Sequence, residues 1–269
     1  PLMAAIGAAV LVTACTGGEG SKPPATVATT TTQVTPPRVD DGVLTIDALI
    51  PSSDTRVDNA LRASFEATID IINRAGGVLG NDVEYVIIDE GQTAASASQA
   101  IEDLIEVGVD AIMGPASSNT ALGSLDVAVS NGILSCSPTA TAIALDDFPD
   151  DGLFFRSIAT DSLQAAAIAR EAQATGASSV AIIHVDDAYG RPYAEAVANA
   201  LGDDIAVETI AVPVDDDDFT DELDLLVELD PQVVVSVGNG QTIAASLQAM
   251  GERDDLSVPR IFVNDAARS

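Results

Sequence analysis

Small polar side chains recur in this sequence directly after short apolar segments of the kind that form buried β-strands. Serine, threonine, asparagine and aspartate are frequent in these stretches, which occupy residues 52–54, 90–93, 117–119, 139–141, 186–189, 238–241 and 264–265. Hydroxyl, amide and carboxylate groups suit hydrogen bonding to a polar ligand better than covalent chemistry. The sequence therefore predicts a binding site that is built from loops.

The loop GPASSN at 114–119 is the most informative of these stretches because a helix is predicted to follow it. A serine or asparagine at the start of a helix can cap it with its side chain. The backbone N–H groups of a helix N-terminus can also bind a carboxylate. A plain cap and an anion site are both consistent with this loop taken alone.

Residues with catalytic or metal-binding potential are few. His184 is the only histidine and precedes Asp186 and Asp187, but it lies within the apolar segment 180–185, which favours a structural histidine. The chain has no Gly-x-Ser-x-Gly motif and no phosphate loop with its lysine. The aspartate run 215–218 lacks the spaced ligands of a calcium loop. We therefore predict a protein that is not an enzyme and that uses no metal or cofactor.

A regular alternation of predicted strands and helices carries the polar stretches. Strands are predicted at 44–50, 83–88, 110–113, 133–136, 180–185, 205–212, 233–237 and 261–263. A first helix has Leu61, Phe65, Ile69 and Ile72 on one face, and further helices are predicted at 94–107, 120–130, 161–175, 189–201, 219–229 and 242–250. This order is typical of an α/β fold with parallel sheets that are covered on both faces.

An acidic stretch with proline and glycine at 146–152 interrupts the alternation and marks a predicted crossover. We predict two lobes with a hinge between them, at 42–152 and 153–269, each a parallel sheet flanked by helices. Sheets of this kind bind ligands in the crevice outside the carboxyl ends of their strands. The polar stretches follow those ends, so we expect them to meet in the crevice.

The charge of the chain excludes nucleic acid as a partner. Its 42 acidic residues outnumber 11 basic ones, which gives a formal net charge of −31. Phosphate binding requires clustered lysine and arginine, which this sequence lacks.

The hydrophobic content of the chain, 47%, is sufficient for a sizeable core.

The N-terminal residues predict export and a lipid anchor. Residues 2–14 are apolar or small, carry no charge and are too short to cross about 30 Å of hydrocarbon, which is typical of a signal peptide. They end in Val12-Thr13-Ala14-Cys15, which resembles the bacterial lipobox; an ordinary cleavage site is the alternative. We predict a partial signal peptide at 1–15, lipidation at Cys15 and a flexible tether rich in threonine, proline and glycine at 16–41.

Several sequence blocks together resemble the solute-binding proteins of branched-chain amino acid ABC transporters, the leucine/isoleucine/valine-binding type. The blocks are INRAGGVLG at 72–80, VDAIMGP at 109–115, SPTAT at 137–141, FR at 155–156 and DAYGR at 187–191. The resemblance extends from about residue 43 to residue 265. It implies the two-lobed type I fold of periplasmic binding proteins, an extracytoplasmic lipoprotein, and a small-molecule ligand that is passed to an ABC transporter permease.

The resemblance also implies roles for individual residues. Ser117 and Thr141 are expected to hold the carboxylate of an amino acid ligand. The Thr139 carbonyl and the Thr141 hydroxyl are expected to face its ammonium group, with Asp265 as the counter-ion. Tyr189 matches an aromatic lid of the second lobe, and Asn239 falls in a second lid loop.

The sequence departs from the family pattern in two places. The first loop, at 50–58, has no glycine and no aromatic residue. The sequence also stops soon after Asp265, where family members continue with more of the second lobe, so we expect a C-terminal truncation. Two alternatives remain open, an amide- or urea-binding transport protein and a ligand sensor with the same fold.

Overall fold

The N-terminal half of the domain forms a parallel sheet of five short strands. This computed structural model describes residues 41–52, 56–214, 218–257 and 260–268, which belong to one compact unit at 35–269. In chain order, the elements of the first lobe are β1 (Ile46–Ile50), α1 (Arg56–Arg74), β2 (Ile87–Asp89), α2 (Ala94–Val107), β3 (Ala111–Met113), α3 (Ser118–Ser130), β4 (Leu134–Ser137) and β5 (Phe154–Arg156). The strand order is β2-β1-β3-β4-β5, and every pair is parallel.

The C-terminal half forms a second parallel sheet. Its elements are α4 (Asp161–Ala174), β6 (Ser179–Val185), α5 (Gly190–Leu201), β7 (Ala206–Val212), α6 (Thr220–Leu229), β8 (Val233–Val237), α7 (Gly240–Gly251) and β9 (Ile261–Val263). The strand order is β7-β6-β8-β9. The predicted α/β class with two parallel sheets is confirmed.

The position of β5 changes the predicted division between the lobes. Phe154 in β5 pairs with Ser135 in β4, so this strand completes the first sheet. The predicted boundary at residue 152 therefore falls too early, and the crossover lies between β5 and α4. The acidic stretch before β5 is a loop within the first lobe. The sequence did not predict β5 because a strand of three residues is too short to show a periodic pattern.

Apolar side chains cover both faces of each sheet. In the second lobe, the buried strand residues Ile182 and Val235 pack toward α4 and α5, while Ile183 and Val234 pack toward α6 and α7. In the first lobe, α2 and α3 cover one face and α1 covers the other. This two-sided burial explains why the strands are largely apolar and do not alternate with polar residues, as in β8. Among the described residues, no helix is long and apolar enough to cross a membrane.

Two glycines permit sharp changes of direction near the ends of the elements. Gly108 ends α2 with a left-handed backbone (φ +94°), and its N–H donates to the carbonyls of Ile105 and Leu104. Gly114 follows β3 with φ +130°, and a Cβ at this position would collide with the carbonyl of Leu49 in β1. The loop before α3 can therefore lie directly against the end of β1.

Candidate functional site

A cavity of about 360 Å³ lies at the carboxyl ends of the strands of both sheets. Its volume lies within the range of about 300–1,000 Å³ that is typical of ligand pockets. The six residues predicted for ligand binding all line it: Ser117, Thr139, Thr141, Tyr189, Asn239 and Asp265. The structure therefore brings them together, because the carboxyl ends of parallel strands all lie on the same side of each sheet. Their roles in binding stay predictions.

Two loops of the first lobe form a hydroxyl-rich wall of the cavity. The hydroxyl of Ser118 accepts hydrogen bonds from the N–H groups of Thr141 (3.0 Å) and Ala142 (3.1 Å). The hydroxyl of Thr139 donates to the carbonyl of Ala116 at 2.7 Å. These bonds hold the loop before α3 against the loop after β4, so Ser117, Thr139 and Thr141 occupy fixed positions.

The N-terminus of α3 differs from both interpretations of its sequence. Ser117 is the N-cap residue, but its side chain makes no capping hydrogen bond. Instead, the buried carboxylate of Glu90 accepts from the N–H groups of Ala116 (2.7 Å) and Ser117 (3.0 Å). Two of the donors expected for a ligand carboxylate are therefore bound by the protein's own side chain.

Burial has a large effect on Glu90. Desolvation raises the pKa of its carboxyl group to about 7, although the two N–H donors favour the ionised form and act in the opposite direction. Sequence reasoning placed Glu90 in a polar loop but did not assign it a function. No local signal identifies it, because its partners lie 26 and 27 residues further along the chain.

A second buried acid, Asp161, lies beside the hydroxyl-rich wall. It is the first residue of α4, and its N–H donates to the Thr141 carbonyl at 2.9 Å. Its side chain is fully buried, and neither carboxylate oxygen has a hydrogen-bond partner in the described structure. Burial raises the pKa of Asp161 to about 7; the nearby Thr141 hydroxyl opposes this rise, whereas the charge of Asp265 adds to it.

Sequence reasoning also missed Asp161. An aspartate in the first turn of a helix is an ordinary, helix-stabilising residue. Nothing in its neighbourhood in the sequence shows that this one is desolvated at the crossing between the lobes.

The second lobe contributes an aromatic wall. The hydroxyl of Tyr189 accepts a hydrogen bond from the Nδ2 atom of the buried Asn264 at 2.8 Å. The ring of Tyr189 packs against apolar clusters of both lobes, including Phe154 of the first and Val197 of the second. Burial raises the pKa of the Tyr189 phenol, so it remains a neutral hydroxyl.

A hydrogen bond between two side chains crosses between the lobes at the cavity. Asp187 caps the start of α5 through Oδ1, which accepts from the N–H groups of Tyr189 and Gly190 at 2.9 and 2.7 Å. Its Oδ2 accepts from Asn119 Nδ2, on α3 of the first lobe, at 3.1 Å. This bond connects the N-terminal ends of two helices from opposite lobes.

The two remaining predicted residues have different environments. The Oδ1 atom of Asn239 accepts from the N–H and the hydroxyl of Thr242 at 2.9 and 3.1 Å, and so it caps α7. Asp265 is exposed, and its N–H donates to Gln164 at 2.9 Å. The Asp265 residue is thereby held at the cavity by its backbone.

The remaining candidates for chemistry lie apart from this arrangement or outside the described structure. His184 is buried in β6, with Nδ1 at 3.0 Å from the Val185 carbonyl oxygen, as expected for a structural histidine. The described residues contain no group of three or more histidine, cysteine, aspartate or glutamate side chains that could hold a metal ion. Cys15, the predicted lipidation site, lies outside the described residues.

The fold and the cavity between its lobes define a class of two-lobed binding proteins, and comparison with known proteins agrees. Residues 51–262 match the periplasmic binding protein family, and the chain belongs to that family. The predicted resemblance to this group is confirmed.

Two relatives match parts of this chain. The chain is 33% identical over 195 residues to the chemotactic signal transduction system substrate-binding protein BasB of Halobacterium salinarum, covering 64% of this chain and 46% of that protein. It is 29% identical over 160 residues to the Leu/Ile/Val-binding protein BraC3 of Rhizobium johnstonii, covering 58% and 43%. The chain thus matches less than half the length of either relative.

Solved structures share the fold. The leucine-binding protein LivK of Thermotoga maritima superposes with a TM-score of 0.71 at 23% identity, over 84% of this chain and 64% of that one. The substrate-binding protein LivJ of Streptococcus pneumoniae, solved in complex with isoleucine, gives a TM-score of 0.68 at 24% identity, over 83% and 64%.

Proposed function

We propose that this chain is the extracytoplasmic solute-binding component of an ABC importer and that its ligand is a branched-chain or related amino acid. The observation that carries the proposal is the composition of the cavity. Hydroxyl groups of Ser117 and Thr141 line it on one side, Asp265 lines it as well, and the buried carboxylate of Asp161 lies behind the wall near Thr141 and Asp265. A zwitterion offers a carboxylate to the first set and an ammonium group to the second.

The ammonium group is the part of the ligand that this site is best suited to bind. Asp265 is the direct counter-ion in this proposal, and the Thr139 carbonyl is a further acceptor. Asp161 acts through its charge: its buried carboxylate lies near Asp265 and Thr141 and adds negative potential where the ammonium group lies, which leaves the single proton of the Thr141 hydroxyl for the ligand carboxylate. A bound cation would also favour the ionised form of Asp161.

The ligand carboxylate requires neutral donors, because no lysine, arginine or histidine is among the described residues that line the cavity. The hydroxyls of Ser117 and Thr141 fill that role in the proposal. Glu90 holds the N–H groups of Ala116 and Ser117 from behind, and so it sets the position of Ser117. The ligand carboxylate then lies in front of a preorganised loop.

Closure of the lobes completes the site. The second lobe contributes Tyr189, Asn239 and Asp265, so a ligand that binds the first lobe gains these contacts only when the lobes approach. The hydrogen bond between Asn119 and Asp187 stabilises the approach directly at the rim.

Membership of the periplasmic binding protein family implies a location outside the cytoplasm. We propose in addition that Cys15 carries a lipid and that residues 16–41 tether the domain to the membrane. A tether raises the concentration of the binding protein near its permease, which is the partner that the transport proposal requires.

A sensor is the second candidate function, and one observation favours it. The relative BasB is named as a substrate-binding protein of a chemotactic signal transduction system. Neighbouring genes for a permease and an ATPase would support transport, whereas a neighbouring transducer or kinase gene would support sensing.

A thermal-shift screen of the full chain against the twenty L-amino acids, acetamide, urea and small carboxylates tests the proposed ligand class. A true ligand stabilises the folded state by mass action, by about 2.7 kcal/mol at a concentration of 100 Kd. We expect leucine, isoleucine or valine to raise Tm most. A rise with acetamide or urea and none with any amino acid would assign the site to amides.

A further inference from the structure

A second cavity, of about 620 Å³, lies at the end of the first sheet where its strands begin, opposite the candidate site at their carboxyl ends. Its walls come from residues that precede strands β1 to β4 and from the C-terminal ends of α2 and α3. In a parallel α/β layer, helix C-termini gather at the edge where the strands begin. Each helix end carries partial negative charge there, which favours a cation.

The side chains around this cavity have the same sign of charge as the helix ends. Five acidic residues are on its walls, and no lysine, arginine or histidine is among the described residues that line it; the acids are Asp41, Asp47, Glu84, Glu106 and Asp110. Four of them lie near solvent, where water screens them. The fifth, Asp47, does not.

Asp47 is a buried acid in an otherwise apolar strand, β1. It is 1% exposed, and its Oδ1 atom accepts a hydrogen bond from the N–H of Val86 at 2.7 Å. Its Oδ2 atom is buried and has no hydrogen-bond partner in the described structure. An unpaired buried carboxylate oxygen is unfavourable, so this atom requires a proton or a cationic partner. Burial accordingly raises the pKa of Asp47.

Apolar side chains form much of the remaining wall, beside Thr45, Tyr85 and Asn131. Ile105, Val109 and Ile133 contribute to it, and Val86 and Val107 are 48% and 74% exposed. A metal ion does not suit this composition, because the described residues include no group of three or more metal-binding side chains and hard cations take six or more oxygen ligands. An ammonium group has only three N–H donors to satisfy, and an attached alkyl chain can cover the valine and isoleucine side chains.

We propose that this cavity binds a primary alkylammonium ion, with the ammonium group directed toward the Asp47 carboxylate and the alkyl chain along Ile105 and Val107. The inference is independent of the amino acid proposal, because the two cavities lie at opposite edges of the first sheet and share no lining residue.

Titration of the full chain with n-butylammonium chloride, followed through backbone amide resonances in NMR spectra, tests the site. We expect saturable shifts of the Val86 and Gly108 resonances and no such response to n-butanol, which has the same alkyl chain without the charge. Asp47→Asn keeps an oxygen that can accept from Val86 and removes the negative charge, so it should weaken binding at least about tenfold. Leucine binding should be unchanged in that variant.

Three outcomes would overturn the proposal. The first is that butylammonium leaves the Val86 and Gly108 resonances unmoved in the wild type, which would show that a proton satisfies Asp47. The second is that its shifts are confined to Ser117 and Thr141, which would place it in the first cavity. The third is that Asp47→Asn binds it as tightly as the wild type. The first two results need no variant, so they decide the question even if the substitution disturbs folding.

Discussion

Replacement of Asp161 by asparagine should stabilise the protein at alkaline pH. Asparagine is similar in shape to the protonated acid and removes a charge that is buried without a hydrogen-bond partner. Folding raises the pKa of Asp161 from its ordinary value of 3.8 to about 7. At about 1.4 kcal/mol for each pH unit, the difference corresponds to about 4 kcal/mol when the side chain is ionised in both states.

The sign of this effect depends on which state holds the proton. Below about pH 4, Asp161 is protonated in the folded and the unfolded chain. Between about pH 4 and pH 7 the folded state alone retains the proton, so the free energy of unfolding falls as pH rises. Folding also raises the pKa of Glu90, from 4.5 to about 7. The Asp161→Asn variant should therefore reduce the pH dependence of stability without abolishing it.

Urea unfolding at pH 5 and pH 8, without ligand, measures the effect. We expect Asp161→Asn to exceed the wild type by about 2 kcal/mol at pH 5 and by up to about 4 kcal/mol at pH 8. Glu171→Gln, which changes an exposed acid on the same helix, is the matched control and should not alter the pH dependence. A variant that is no more stable than the wild type at pH 8 would refute the claim that Asp161 is a desolvated charge.

Three further predictions concern the ligand, the fold and the anchor. Asp265→Ala should weaken binding of an amino acid ligand by about 2 to 5 kcal/mol in isothermal titration, because an ammonium group that is buried when the lobes close is left without its counter-ion; an unchanged Kd would remove Asp265 from the site. Gly108→Ala should lower the free energy of unfolding by about 1 kcal/mol, because the left-handed backbone at the end of α2 is strained for any residue with a Cβ; equal stability would contradict that C-cap. Labelled fatty acid should be incorporated into the full-length precursor and lost in Cys15→Ala, and label retained in the variant would exclude Cys15 as the lipidation site.

Much of the fold follows from local pattern. Short, valine-rich segments such as 233–237 favour strands that are buried on both faces, and the amphipathic segments between them favour the helices that cover those faces. The same pattern placed Ser117, Thr141 and Asp265 at strand ends. Because all strands in each sheet are parallel, those ends had to meet along one edge, and the six predicted residues line one cavity for that reason.

Tertiary structure alone decided how the acids are used. The sequence shows Glu90 and Asp161 as two of 42 acidic residues that nothing local separates from the solvated majority, and it places Asp47 in a strand without showing what its carboxylate contacts. The pairing of Glu90 with N–H groups before α3, and the burial of one oxygen of Asp47 and both of Asp161 without partners, depend on which distant segments pack together. Local periodicity determines which face of an element is buried, whereas desolvation of a single charge is set by every element around it.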